Sequence, residues 1–219
     1  MLGMGFWEDM EAILQSMPKK RETILFSGTL SEPIRQIARR HQNEDLIHIE
    51  IEAAAKTDKT VEQYYSEIRG NQKTPALVFL IREKAFNRSL VFVATKAMAD
   101  TLAELLRQEG LYAKAIHWDF RQHQRDAVMH RYRAGQIRIM VATDVAARGI
   151  DVSDIVAVVN YDIPMDCVSY VHRIGRRGRA GQGGAAYTFI YPKERSKLMS
   201  FMQSISARIQ PMRQTATAI

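Results

Sequence analysis

Four short apolar runs constrain the fold of this chain more than any other feature: SLVFVA (89–94), IRIMVA (137–142), IVAVVN (155–160) and AAYTFI (185–190). Each is rich in Val, Ile, Leu or aromatic residues and ends in polar or turn-forming ones, the pattern of a strand buried in a sheet. Helical stretches separate the runs. Thr95 is placed to cap KAMADTLAELLRQE (96–109), which Gly110 ends, and RQHQRDAVMHRYRA (121–134) stops at Gly135. VEQYYSEI (61–68) and YAKAIH (112–117) add two strands, and a further helix is expected around 168–173. Thr74 and Pro75 predict a helix over PALVFLIREKAFN, with Thr as the cap and Pro at the first helical position. Strands alternating with helices of this length predict an α/β fold with a mostly parallel sheet covered by helices on both faces.

In such sheets, ligands bind beyond the carboxyl ends of the strands. Thr95, His117 and Thr143 each stand at, or just past, the end of a predicted strand, so they should share one edge. Helix N-termini at that edge present free amides and a partial positive charge to phosphate groups. The stretch from Ile137 to Gly181 carries the chemistry. ATDVAARGID follows the run that ends at Ala142, and HRIGRRGRAG places four arginines in seven residues between glycines. Glycine allows sharp turns, and arginine suits planar, multi-donor contact with phosphate oxygens. Together they describe a polyphosphate or nucleic-acid site.

ATDVAARGID and HRIGRRGRAG resemble the two C-terminal signature motifs of DEAD-box ATP-dependent RNA helicases, and the similarity covers nearly the whole chain. The resemblance implies a RecA-like fold and an ATP-dependent RNA helicase activity (an ATPase, a hydrolase). Arg176 and Arg179 match the arginine fingers that reach the γ-phosphate. Asp151 matches the carboxylate that bonds the ATP ribose, with Gly149 beside it. His172 and Arg173, with Ser27 and Thr29 of a Ser-Gly-Thr that stands for Ser-Ala-Thr, match positions that couple two domains. Thr95, Gln122, Arg125, Thr143 and Arg148 match positions that hold the RNA backbone, and Trp118 lies beside them. Read from the residues alone, the alternatives are that Thr95 only caps its helix, that Gln122 and Arg125 form a solvated helix face, and that Asp151 caps a turn. The resemblance implies ATP with Mg2+ as cofactor, with the Mg2+ ligands on a first RecA-like domain, and sequence-independent RNA binding.

Side by side with the family, the chain divides into a truncated tail of the first RecA-like domain (1–51), a small, polar linker (52–60), the second RecA-like domain (61–195) and a C-terminal helix and tail (196–219). In the first segment, an amphipathic helix ends at Pro18, ETILFSGTL and LIHIEI are predicted strands, and Ser31 and Pro33 start a helix between them. Those strands would belong to a sheet whose other members lie upstream, so residues 1–51 are expected to fray, to dock elsewhere or to exchange between two molecules. The sequence contains neither GxxxxGK[ST] nor Asp-Glu-Ala-Asp, and the chain is expected to be inactive without a first domain. The competing reading is a stand-alone, non-catalytic RNA-binding or regulatory fragment. Two departures from the family pattern stand out: Gly28 within Ser-Gly-Thr, and His117-Trp118-Asp119 where the family has His-Gly-Asp.

Charge and composition agree with a polyanionic partner, since 31 Lys and Arg against 24 Asp and Glu give a net charge of +7. A single cysteine, Cys167, excludes an internal disulfide, and no signal peptide or run of ~18 apolar residues marks a membrane segment. Cytoplasm is the default compartment. The histidines at 41, 48, 123 and 130 lack ligand-like spacing, so no metal site is expected. Met98, Leu102, Leu105 and Leu106 form a stripe expected in the core.

Overall fold

Seven parallel strands make up the sheet: β1 (Val61–Glu67), β2 (Ser89–Phe92), β3 (Ala113–Ile116), β4 (Ile139–Ala142), β5 (Ala157–Asn160), β6 (Gly184–Ile190) and β7 (Gln210–Pro211), in the order β3-β4-β2-β5-β6-β1-β7. The computed structural model describes residues 7–26, 32–41, 47–49, 61–147, 150, 155–176, 184–205 and 208–212. Helices α1 (Trp7–Ser16) and α2 (Glu32–His41) precede the sheet. Helices α3 (Lys73–Lys84), α4 (Lys96–Gln108), α5 (Gln122–Arg133), α6 (Asp144–Ala147), α7 (Cys167–Ile174) and α8 (Arg195–Ser204) connect or flank its strands. The chain divides into two units, Met1–Glu52 and Ala53–Ile219.

The central strands are buried along their whole length, and their side chains alternate between two cores because successive Cβ atoms leave opposite faces of a strand. Val91, Ile139, Val141 and Val159 join Leu77, Leu80, Leu102 and Leu106 of α3 and α4 on one face. Leu90, Phe92, Met140 and Val158 join Val128, Met129 and Tyr132 of α5 on the other. A third cluster packs Tyr170 and Ile174 of α7 with Leu198 and Phe201 of α8. Burial on both faces is why the strand sequences read as continuous apolar runs and not as alternating ones. Two buried phenols tie this layering together: Tyr132 donates to the Ser89 carbonyl at 2.9 Å, and Tyr170 donates to Gln63 Oε1 at 3.0 Å. Burial raises the pKa of both phenols, so they remain donors.

Two helices end as their glycines predict. Gly110 and Gly135 adopt φ of +75° and +73°. The left-handed turn lets Leu111 N–H reach the Leu106 carbonyl at 2.9 Å and Gln136 N–H reach the Arg131 carbonyl at 3.0 Å, satisfying carbonyls that the helix end leaves open. Other local expectations are corrected. Helix α3 starts at Lys73, so Pro75 is its third residue, and Thr74 is no cap: its hydroxyl shares a 2.9 Å hydrogen bond with the Tyr161 hydroxyl. Leu105, expected in the core, is exposed on α4 while Leu102 and Leu106 are fully buried. The tail after α8 contributes β7, which pairs with β1 through Tyr64 and Tyr65.

Residues 22–26 and 47–49, within the two strands expected of the first segment, carry no strand. Strand formation requires a neighbour to accept and donate backbone hydrogen bonds, and Phe26 and Ile47 instead stand 92% and 84% exposed. The amides of α1 and α2 are therefore expected to exchange with deuterium at least about 100-fold faster than those of β2 and β4, because Ile37 and Ala38 are the only buried apolar side chains among the described residues of this unit. Equal protection in a dilute monomer would overturn this.

Candidate functional site

Parallel register brings the ends of four strands to one level: Phe92 of β2 lies opposite Ala142 of β4 and Asn160 of β5, and Ile116 of β3 lies opposite Ala142. The chain passes from β4, on one side of β2, to β5 on the other, which makes this the topological switch point where parallel sheets hold ligands. A cleft of about 50 Å3 opens there, lined by Phe92, Asp144, Ala147, Ser169, His172, Arg173 and Arg176.

Arg173 organises the cleft wall. It is 3% exposed, and its guanidinium clamps Asp144 through Nε at 2.6 Å and Nη2 at 2.8 Å. Its Nη1 donates to Asn160 Oδ1 at 3.2 Å and to the Asp162 carbonyl at 2.7 Å, and the planar head lies 4.9 Å from the Phe92 ring centre. Asn160, itself fully buried, donates to Thr188 Oγ1 at 3.0 Å. Helix α6, strands β2 and β5 and the segment after β5 thus converge on one side chain. A bidentate arginine–carboxylate pair is the strongest of the common polar contacts and fixes orientation as well as distance. The consequence is that Arg173 is turned inward, whereas His172 is exposed and Arg176 half-buried at the cleft. Arg176 Nη1 donates to the Ile150 carbonyl at 3.4 Å. Asp166 begins the same helix, accepting from Ser169 N–H at 2.7 Å.

A second buried charge supports the floor. Lys73 Nζ lies 3.1 Å from Asp162 Oδ1 and 4.1 Å from the centre of the Tyr191 ring, and Asp162 Oδ2 accepts from Ala94 N–H at 3.0 Å. Burying a cation requires such compensation.

Along the β3–β4–β2 edge, Thr95 accepts from Met98 N–H at 3.1 Å as the cap of α4, which leaves its hydroxyl hydrogen to donate outward. Thr143 is 7% exposed and its Oγ1 is buried with no hydrogen-bond partner among the described residues. Arg125 is half-buried and donates to the Ala146 carbonyl at 3.0 Å, tying α5 to α6, so it is more than a solvated face. Gln122 is exposed and donates to Asp126 Oδ1 at 2.9 Å. Trp118 is 63% exposed, with Lys96 Nζ 4.5 Å from its ring centre, while Phe120 packs edge-on against His117.

The structure therefore brings together Arg173, Arg176 and His172 at the cleft, and Thr95, Thr143, Trp118, Gln122 and Arg125 along the edge beside it. Ser27, Gly28, Thr29, Arg148, Gly149, Asp151 and Arg179 lie outside the described residues. Sequence reasoning missed Asp144, Asn160, Asp162, Lys73 and Lys96. Asp144 lies within ATDVAARGID, but nothing local marks its partner 29 residues on. Burial, then the Asp166 carboxylate, pushes the Cys167 thiol up from its ordinary value, which makes it a poor nucleophile near neutrality. Among the described residues no group of three or more His, Cys, Asp or Glu could hold a metal ion, and no helix is long and apolar enough to cross a membrane.

Comparison with known proteins gives a consistent picture. The helicase conserved C-terminal domain family matches residues 72–181. A DEAD-box ATP-dependent RNA helicase, CshA of Geobacillus kaustophilus, is 44% identical over 213 residues, 97% of this chain but only 45% of its own length. A DEAD box protein of Methanococcus jannaschii is 39% identical with a TM-score of 0.68, over 97% of this chain and 57% of that one. S. cerevisiae Dbp5, bound to RNA and ADP BeF3, is 28% identical with a TM-score of 0.83, over 95% of this chain and 56% of that one. The chain thus spans about half the length of these three relatives.

Proposed function

The chain belongs to the DEAD-box RNA helicases, as a helicase C-terminal domain, and from that premise we propose that it forms one wall of an ATP cleft and part of a sequence-independent RNA-backbone surface. The observation that carries the reading is the cleft at the strand ends, where Asp144 is neutralised by buried Arg173 while Arg176 and His172 line the opening. With its carboxylate already paired, the cleft favours a polyanion.

The donor set fits a nucleotide triphosphate. ATP supplies the phosphoryl bond whose hydrolysis drives the cycle, with Mg2+ held by a first RecA-like domain. Arg176, with Arg179, would act as arginine fingers, placing fixed positive charge where negative charge develops in phosphoryl transfer. Arg173 is a positioning residue: it seats α7 on the strand ends and so sets where the next turn, carrying Arg176, emerges. Gly149 and Asp151 would lie at the nucleotide, and Ser27, Thr29 and His172 would couple the two domains. RNA binding is assigned to Thr95, Gln122, Arg125, Thr143 and Arg148. Dbp5, bound to RNA and ADP BeF3, shares this fold. The buried Thr143 hydroxyl, without a partner among the described residues, costs free energy unless a ligand or water bonds it. Contacts of these kinds read phosphate and sugar and position a strand without specifying bases.

Titrating ATP hydrolysis with RNA, with and without a separately made first RecA-like domain, tests the proposal. The chain alone is expected to show no turnover whether or not RNA is present, because phosphate cradle, magnesium carboxylate and fingers must share one cleft. Turnover is expected to appear when the first domain is joined. RNA-stimulated hydrolysis by the chain alone, abolished in an Arg176→Ala control, would overturn the division of labour. RNA binding with no hydrolysis in the joined protein would favour the non-catalytic alternative.

A further inference from the structure

Resting on the nucleic-acid reading of the β3–β4–β2 edge, we propose that Trp118 is a stacking platform for an unpaired base, held in place by Lys96, so that this edge selects single-stranded over duplex RNA. Trp118 is the second residue past the end of β3, and Lys96 is the first residue of α4, which follows β2. Strand β4 lies between those two strands. Lys96 nevertheless reaches across, its Nζ 4.5 Å from the indole centre and 2.8 Å from Asp119 Oδ2. The Lys96–Trp118–Asp119 group thus spans the end of β4, where the next residue is Thr143 with its buried hydroxyl, unpartnered among the described residues.

The backbone entering Trp118 is anchored. His117 is buried, its Nε2 lies 3.0 Å from Asp100 Oδ2, and its ring meets Phe120 at 4.6 Å. An indole on such a rigid base presents its face without first losing much freedom, which favours binding. With the cation on one face, 63% of the residue still faces solvent, more than a ring covered on both faces would leave. Exposed indole is an unfavourable use of apolar surface unless something covers it. A nucleobase fits, because every base has a π-face and stacking on an aromatic side chain is tolerant of sequence. The Lys96 ammonium, paired with Asp119 at 2.8 Å, holds one face of the indole and leaves the other for the base. In a duplex, neighbouring base pairs already cover both faces of each base, so the platform discriminates against it.

The test uses the full chain in a Trp7→Phe background, which leaves Trp118 as the only indole, with a short single-stranded RNA and an abasic strand of equal length as probes. Trp118 emission is expected to be quenched by the RNA and unchanged by the abasic strand. Trp118→Gly is expected to weaken RNA binding roughly five- to a hundred-fold without changing the abasic affinity or the salt dependence, and Trp118→Tyr to restore most of the loss. Equal or tighter RNA binding by Trp118→Gly, or an equal loss on the abasic strand, would overturn the stacking role and leave the edge as a backbone reader only. If neither probe binds the unaltered Trp118 chain, the nucleic-acid reading itself fails and this inference with it.

Discussion

Arg176→Ala, in the chain joined to a first RecA-like domain, is expected to lower RNA-stimulated ATP turnover by about 10³-fold or more while changing the affinity for single-stranded RNA less than about threefold. The asymmetry follows from the place of Arg176 at the strand-end cleft and not on the β3–β4–β2 edge. A charge that stabilises the transition state acts on kcat, whereas a group that holds the strand acts on affinity. Arg125→Ala is expected to do the reverse: its guanidinium sits on the edge side, bonded to the Ala146 carbonyl, and its loss should weaken RNA binding and reduce its salt dependence. Arg176→Lys is expected to recover little, because an ammonium group lacks the planar fork. Steady-state hydrolysis and RNA anisotropy measured on the same preparations decide the matter. If Arg176→Ala weakens RNA binding as much as Arg125→Ala does, the two roles have been assigned wrongly.

The second large effect is on folding. Arg173→Ala is expected to destabilise the Ala53–Ile219 unit by about 3 kcal/mol, which for a unit of this size lowers Tm by about 6–12 °C. Asp144 is 41% exposed and can recover water in place of its partner, so it contributes the smaller part of the loss. The larger part comes from Asn160 Oδ1 and the Asp162 carbonyl, which lose their shared donor, Nη1, and from the space left against Phe92. Arg82→Ala provides the contrast. Its partner Glu109 and the Arg82 side chain are both about half exposed, at 49% and 55%, and an ion pair of that kind is worth roughly 1 kcal/mol or less. Thermal or urea unfolding of the two variants should therefore separate clearly. A stability loss for Arg173→Ala no larger than that of Arg82→Ala would mean that the network only orients α7 and does not hold it.

These two arginines also show how far the sequence reaches. HRIGRRGRAG and ATDVAARGID announced the helicase family, and the order of apolar runs, caps and terminal glycines announced a parallel α/β sheet, because those signals are local: a motif, a periodicity, a left-handed turn, a capping hydroxyl. The sequence thereby determined that Thr95, His117 and Thr143 share an edge, since all three follow strands and the strands are parallel. It could not say that Arg173 turns inward while Arg176, three residues on, remains at the cleft, because that depends on Asp144 and Asn160, brought together only by the register of β4, β2 and β5. Nor could it say that residues 22–26 and 47–49, apolar enough for strands, carry none, since a strand is defined by its neighbour and not by its own composition. Trp118 is the clearest case. Its identity was visible as a departure from His-Gly-Asp, but whether the ring would fold back onto Phe120 or stay exposed under Lys96 was settled by packing across β4, a contact between residues 22 positions apart that no local pattern encodes.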